Sequence, residues 1–501
     1  MNHLLPLLVA VPLLGALVPF VLGARYPRLA VRATAAILLA QVGIAVAVVA
    51  SVAASGAQTY VLGGLPAAVG IGLLVDQVSS VFVVLVAVAG ALFYVTVRED
   101  ATGPTDSLWL LLVAGLTGVV VTADVFNLYV FLEISGLAAY GLVASRRGGT
   151  AALAALNYLL VGTVGATFYL LGVGYAYVAT GTLAMADLQP ALAGVGYDSP
   201  LVLTSFVFVT LGLAVKLALF PVHAWKPDAY TGSAHDVAAL LATLGSTVAG
   251  YALIRIVFGV YTASFLAAVP AVQTGLLAVG VVSIAAGGYL TLKQTNLRRL
   301  LSYSSILQFG LVVVGFALAT TAAVTGALVL LVGNAVAKGG LFVAAGLFER
   351  ELDAPTIADL AGKAREVPVL AAAVALAFTS LVGLPPMAGF AGKWYVTLAA
   401  VETAQWLVAA VVVVSTLVSL AYAGRVVERL YLADDDAGTA PVAADGGQPE
   451  VQSLPVLGGG LPDLEARAVA VVVVAALGTL VLGLGSTVFA DWVAPVVEGW
   501  L

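Results

Sequence analysis

The sequence predicts an all-α polytopic membrane fold of about fourteen transmembrane helices, two of them broken, and three observations carry that prediction. The 501 residues are 62% hydrophobic and 9% charged, with a mean hydropathy of +1.11, whereas soluble domains run at about 25% charged. The apolar residues gather in runs long enough to cross hydrocarbon, which takes roughly 20 residues per helix. The basic residues mark every second connection between those runs.

In order, the runs fall at 4–22, 30–53, 71–97, 107–123, 125–145, 152–179, 201–231, 236–258, 266–291, 300–319, 323–348, 367–398, 403–430 and 467–490. The first lacks a basic region before its apolar stretch and is expected to be retained as a span. Arg25, Arg28 and Arg32 separate it from the second. Arg98 follows the third run, Arg146 and Arg147 the fifth, Lys226 the seventh, and Lys293, Arg298 and Arg299 the ninth. Arg350, Lys363 and Arg365 follow the eleventh, and Arg425, Arg429 and Arg467 flank the last long loop. The other connections carry no Lys or Arg. By the positive-inside rule the basic loops face the cytoplasm and both termini face outward, in a cell membrane. The seventh and twelfth runs are too long for one straight crossing and contain Pro221 and the pair Pro385 and Pro386. Proline removes a backbone donor and clashes with the preceding turn, so a break is expected in each. Residues 432–466 form the one long polar segment, acidic and rich in Gly and Pro, and read as a mobile cytoplasmic loop. That loop, a pI near 5.1 and fourteen Arg against six Lys fit a salt-adapted source as well as an ordinary linker.

The composition also narrows the chemistry. With no Cys there are no disulfides, iron–sulfur clusters or thiolate metal sites. No glycine-rich phosphate loop or zincin spacing occurs, so no cofactor and no metal are expected. Redox chemistry, if any, belongs to a partner. Nothing in a chain of net charge −6 points to nucleic acid.

The informative residues are the charges left inside the runs: Glu133, Lys216, Arg255, Lys338 and Lys393. A charge at the bilayer centre costs about 2.5–3.5 kcal/mol on insertion scales, so each needs a partner, water or a function. Arg255 lies near a helix end and is expected to snorkel to the interface. Glu133 is nine residues beyond Asp124, hence about 14 Å deep at 1.5 Å per residue. Lys216 precedes the Pro221 break and Lys393 follows the Pro385–Pro386 break, in mirrored contexts. Lys338 lies between them in the chain, one turn after Asn334. Discontinuous helices in corresponding positions of two halves point to an inverted repeat with a transport path at its midplane. Desolvation favours the neutral form of a buried Lys and a neighbouring carboxylate favours the charged form. A Glu133–Lys216 pair that separates and re-forms would therefore release and recapture a proton without a cofactor.

Four segments, in order, resemble the antiporter-like proton-conducting subunits of respiratory complex I, Mrp-type sodium/proton antiporters and membrane-bound hydrogenases. IGLLVDQVSSVF resembles the start of the family's third helix. FPVHAWKPDAYTGSAHDVAALLA resembles its Pro-Leu-His-Thr-Trp-Leu-Pro-Asp-Ala-His signature, and TNLRRLLSYSSILQFG its Asp-Leu-Lys-Arg-Leu-Leu-Ala-Tyr-Ser-Ser segment. VGLPPMAGFAGKW is similar to the segment around the second broken helix. The resemblance implies two inverted five-helix repeats, helices four to eight and nine to thirteen, with helices seven and twelve broken. The corresponding organisation is an N-terminal three-helix segment (1–104), a first repeat (105–260), a second repeat (261–431), the acidic loop (432–466) and a C-terminal helix (467–501). It further implies that Glu133, Lys216, Lys338 and Lys393 match the family's chain of protonatable residues. His223 and Asp228 match signature positions near the cytoplasmic end, where a helix-terminus role and a proton-uptake role stand level. Asp76 matches an acidic position at an outer helix end, read as structural.

Two departures matter. Thr247 stands where many members carry the lysine of the eighth helix, and Asn334 where a histidine often precedes the lysine of the eleventh. Both remove a titratable group, although Thr and Asn still hydrogen-bond water. The loop residue His235, beside Asp236 at the mouth of that helix, is read mainly as a solvated histidine at the interface. The favoured expectation is a proton-translocating subunit of the Mrp antiporter D type, with other membrane subunits as partners and no redox site of its own. The alternatives are a membrane-arm subunit of a complex I-like or hydrogenase redox complex, and a scaffold subunit whose relay is interrupted. Whether sodium crosses this subunit or a neighbour stays open.

Overall fold

The computed structural model describes residues 4–62, 71–97, 102–146, 148–432 and 465–501; Arg98, Arg147 and residues 433–464 of the acidic loop lie outside the described residues. In hydrocarbon every backbone polar group must be satisfied within the chain, and the runs accordingly fold as helices. Span 1 is Leu4–Gly23, span 2 Pro27–Ser55, span 3 Gln77–Val97, span 4 Gly103–Val121, span 5 Val125–Ala144 and span 6 Gly149–Thr180. Span 7 is made of Pro200–Leu217 and Trp225–Gly232, and span 8 runs through His235–Ala268 with two π-turns at Leu241–Gly245 and Val257–Tyr261. Span 9 is Pro270–Leu292, span 10 Leu297–Ala317, span 11 Thr321–Glu351 and span 13 Trp406–Tyr431. Span 14 is Ala466–Leu484, continued after Gly485 by Ser486–Trp500.

Among the described residues, thirteen continuous helices are long and apolar enough to cross a membrane. The fourteenth crossing, span 12, is assembled from two fifteen-residue helices, Pro368–Val382 and Ala388–Glu402. The 3-10 turns Ala358–Leu360 and Lys363–Arg365 meet the first of these at 118°. They carry Asp359, Lys363 and Arg365 and so belong to the loop rather than the crossing. Both expected breaks are present. The first half of span 7 ends where Ala218 turns to a φ of 60°, and the first half of span 12 where Gly383 turns to 88°. Phe220–Pro221 and Pro385–Pro386 are cis.

Odd- and even-numbered connections segregate to opposite ends. At one end an isolated bridge joins Asp124 to Ala184, Asp76 meets Arg255, and Tyr197 bonds Thr262. At the other, Arg146 reaches the carbonyls of Thr231 and Ser233, Asn296 pairs with Thr356, and Arg425 reaches those of Leu292 and Gln294. Spans 8, 10 and 11 are buried along nearly their whole length, while spans 2, 6, 9 and 14 turn most of their surface outward. Close approach is secured by small residues, as expected where lipid gives no hydrophobic drive between helices. A Cβ on Gly310 would lie 2.7 Å from the Gly280 carbonyl oxygen, and one on Gly280 3.0 Å from that of Gly310.

Several details escape the apolar runs. Gln58–Val61 and Gly72–Val75 pair as an antiparallel two-stranded sheet, and Met185–Val195 is a short helix between spans 6 and 7. Span 8 extends ten residues past the predicted run, to Ala268. The last run is not a single helix but breaks at Gly485.

Candidate functional site

The site begins on span 5, whose first turn is capped by Asp124, its Oδ1 accepting from the Asn127 N–H at 2.7 Å. Glu133, midway along this span, faces Lys216 in the last turn before the span 7 break, at 3.5 Å. The ammonium also donates to the Tyr140 hydroxyl at 3.2 Å. Gly136 makes the room: a Cβ there would stand 2.9 Å from Lys216 Nζ. Tyr140 packs edge-on against Tyr158, which stacks on Trp225 at 4.1 Å, and Trp225 donates to the Val215 carbonyl at 3.0 Å. An aromatic wall thus holds the two halves of span 7 beside the pair.

Lys226 corrects an expectation. Counting charges placed it in a cytoplasmic loop, but it is 1% exposed within the second half of span 7. Its Nζ donates to Ser246 Oγ on span 8 at 2.8 Å and lies 4.4 Å from the Phe309 ring centre. Ser246 in turn donates to the Lys216 carbonyl at 3.1 Å, an acceptor at the helix break. The charge count failed because the span resumes after its break, so a lysine past the break is still indoors.

Lys338, 0% exposed in the middle of span 11, donates to Ser304 Oγ and, at 2.6 Å, to the Leu301 carbonyl on span 10. Asn334, one turn earlier, has neither amide atom bonded, and the buried Thr247 hydroxyl is likewise without a partner among the described residues. Native proteins leave few such groups unsatisfied, and sites of this kind take water. The two departures therefore replace titratable groups with polar ones lodged in the same interior. Lys393 donates to the Val382 carbonyl at 2.8 Å, an acceptor at the span 12 break, and to Thr416 Oγ1 on span 13 at 3.3 Å. The Tyr422 hydroxyl on span 13 lies beside Ser304, Gln308 and Ser419. It bonds none of them directly among the described residues.

The structure thus brings Glu133 and Lys216 into direct contact. It joins Lys216 to Lys226 through Ser246, whereas Lys338 ends on Ser304 and Lys393 on Thr416, with no direct bond between those two ends among the described residues. Lys338 and Lys393 do not touch. At the end where the basic loops gather, Asp228 pairs with Arg299 at 3.0 Å on the surface. His223 sits within the span 7 break, 5.4 Å from the Phe220 ring. His235 is not a free solvated side chain: it packs against Gly346, with Arg146, Arg298 and Arg350 around it, and its Nδ1 is buried. Arg298 itself is drawn inward, 3% exposed, to the carbonyls of Tyr230 and Ser233. Arg255 does not snorkel; it is 8% exposed and ion-paired with Asp76.

Residues 122–419 match the family described as NADH:quinone oxidoreductase/Mrp antiporter, TM. The chain is 41% identical over 447 residues to the N-type subunit of NADH-quinone oxidoreductase from Desulforudis audaxviator, covering 86% of this chain and 87% of the relative. It is 28% identical over 429 residues to the D-type subunit of the Na(+)/H(+) antiporter from Bacillus subtilis, covering 84% and 85%. A chain of the Mrp complex from Dietzia sp. DQ12-45-1b matches with a TM-score of 0.86 at 26% identity, over 100% of this chain and 97% of that one. The resemblance read from the motifs is borne out. The balance between its branches shifts, because the likeness to the oxidoreductase N type fits the redox-complex alternative better than the favoured antiporter D-type reading.

Proposed function

We propose that this chain, which belongs to the NADH:quinone oxidoreductase/Mrp antiporter transmembrane family, carries protons across the membrane as a membrane-arm subunit of a quinone-linked redox complex. The observation that carries the reading is the Glu133–Lys216 pair, a 3.5 Å contact within the helix bundle of a chain that buries three further amines, on Lys226, Lys338 and Lys393. An ion pair held only for packing would be closed by direct hydrogen bonds, yet Glu133 Oε1 has none among the described residues. When the pair is closed, the carboxylate holds a proton on Lys216. When it opens, the proton moves to the next amine or water and Lys216 is left neutral, ready to be recharged. In this relay of Glu133, Lys216, Lys338 and Lys393, the three lysines carry the proton and Glu133 sets the charge of the first, while Thr247 and Asn334 hold water between them. His223 and His235 stand at the uptake end. Electron transfer belongs to partner subunits, and other membrane subunits flank this one.

The sodium/proton antiporter reading keeps one specific support, the 0.86 TM-score with a chain of an Mrp complex. Inside-out vesicles bearing the whole complex separate the two. NADH added with a soluble quinone should drive proton uptake, and Glu133→Gln should slow it by on the order of tenfold, below the loss for a direct acid or base because Glu133 acts through Lys216. Proton movement driven by a sodium gradient and not by NADH would favour the antiporter. Normal uptake in Glu133→Gln would remove the pair from the mechanism.

For orientation, both termini outside is the reading that the basic loops favour: Arg146, Lys293, Arg299, Arg350, Lys363 and Arg425 all gather at one end. The chain has no native cysteine, so single labels are clean. Gln405→Cys, after span 12, should react with an impermeant maleimide on intact cells, and Asp359→Cys, after span 11, only once they are permeabilised. The reverse pattern inverts the topology.

A further inference from the structure

We propose that Lys226 is the central proton carrier of this chain, standing in for the amine that span 8 lacks; this rests on the relay reading above. Three observations point to it. Lys226 is fully buried, and no carboxylate pairs with it among the described residues. A lysine retained there for stability alone would be expected to have a counter-ion, since an unpaired buried charge is costly. Its surroundings are instead a single hydroxyl, Ser246, and the faces of Phe309 and Tyr230, at 4.4 and 5.4 Å.

Position is the second observation. Ser246 bonds both the Lys226 ammonium and the Lys216 carbonyl, so Lys226 is tethered to the span 7 break. Its charge also acts on that of Lys338. Tyr230, from the same half-helix, packs edge-on against Phe342 on span 11 at 5.6 Å. The third is an exchange of residue types across the contact between spans 7 and 8. The signature that this segment resembles has Leu where Lys226 stands. Thr247, next to Ser246, stands where Lys is common. On that resemblance the amine stands on span 7 instead of span 8, bonded to the residue next to Thr247. The unpartnered Thr247 hydroxyl marks the place where water completes the path.

The transfers balance. When Glu133 withdraws, one N–H bond of the Lys216 ammonium breaks and the proton passes through water to the Lys226 amine, leaving Lys216 neutral. The Lys226 ammonium then gives a proton to the Lys338 amine and is neutral again. Each step breaks one N–H bond and forms one, and the row as a whole gains no charge.

The test uses inside-out vesicles holding the whole complex, driven by whichever of NADH or a sodium gradient moves protons in the wild type. Lys226→Leu should cut proton uptake by about 100-fold, the scale of removing a positioned acid or base. Lys226→Arg keeps the charge and the bond to Ser246 but does not give up its proton. A relay role predicts that Arg fails as Leu does, whereas a purely structural role predicts that Arg rescues. Wild-type uptake in either variant, with Lys338→Met blocked in the same assay, overturns the role of Lys226 and leaves the relay standing. Wild-type uptake in Lys338→Met as well overturns the relay itself.

Discussion

Asp76→Ala should destabilise the folded protein by about 3–5 kcal/mol, the cost of stranding one member of a buried ion pair. Asp76 and Arg255 are 5% and 8% exposed and bonded to one another. Asp76 also caps span 3: its Oδ1 accepts from the Ser79 N–H at 2.8 Å, and Ser79 Oγ accepts from the Asp76 N–H at 2.7 Å. Arg255 lies on span 8, and the Trp500 ring of the C-terminal helix covers its guanidinium at 5.7 Å. One contact therefore ties spans 3 and 8 to the C-terminal segment. Removing the carboxylate leaves Arg255 charged, buried and unpaired, whereas the double change Asp76→Ala, Arg255→Met removes both charges and should recover most of the loss. Thermal unfolding of the purified complex in detergent reads both variants. A single-variant loss below about 1 kcal/mol, the worth of an exposed pair, would contradict the structural role. The pH dependence has a fixed sign. Burial works against the Asp76 carboxylate, but Arg255 and the Ser79 bonds outweigh it and hold its carboxyl below the usual 3.8. The stabilisation is complete above that value and fades only as the pH falls further.

Much of this architecture was legible in the sequence because the bilayer allows few solutions. Run length and alternating basic loops identify the fourteen crossings, and Pro221 and Pro385 identify the two breaks, since proline acts on the backbone wherever it sits. Glu133 and Lys216 could be paired in advance because a mid-membrane acid and a mid-membrane base have few other ways to be satisfied. What stayed hidden depends on facing direction and on contacts between distant segments. Lys226 and Arg298 look like loop charges by position, but a resumed half-helix and the carbonyls of Tyr230 and Ser233 draw them inside. Arg255 looks like a snorkelling residue until Asp76, far away in the chain, is folded against it. The proposed water-holding role of Thr247 and Asn334 also needs coordinates, because it rests on what their polar atoms fail to find among the described residues. A short helix such as Met185–Val195 carries no charge or hydropathy signal that separates it from a loop.

Lys338→Met should abolish proton uptake, by about 100-fold or more, while leaving the protein folded. The two halves of that expectation come from the same contacts. Lys338 is 0% exposed and bonded only to the span 10 segment Leu301–Ser304 among the described residues, so no second path for its proton runs through the side chain itself. Methionine is unbranched, one atom shorter, apolar and adaptable, which suits a fully buried position. The Leu301 carbonyl that loses the amine still accepts from the hydroxyls of Ser304 and Ser305, each at 3.0 Å. Truncation therefore leaves no stranded acceptor there, and it also removes a buried amine that has no counter-ion among the described residues. Stability should stay the same or rise while transport stops. Lys338→Arg supplies the complementary case: it preserves charge but holds its proton, and it should be as inactive as Met. The measurement pairs proton uptake in vesicles with thermal unfolding of the same complex. A Met variant that loses transport only in proportion to lost stability would make Lys338 a packing residue, and one that transports normally would move the path elsewhere.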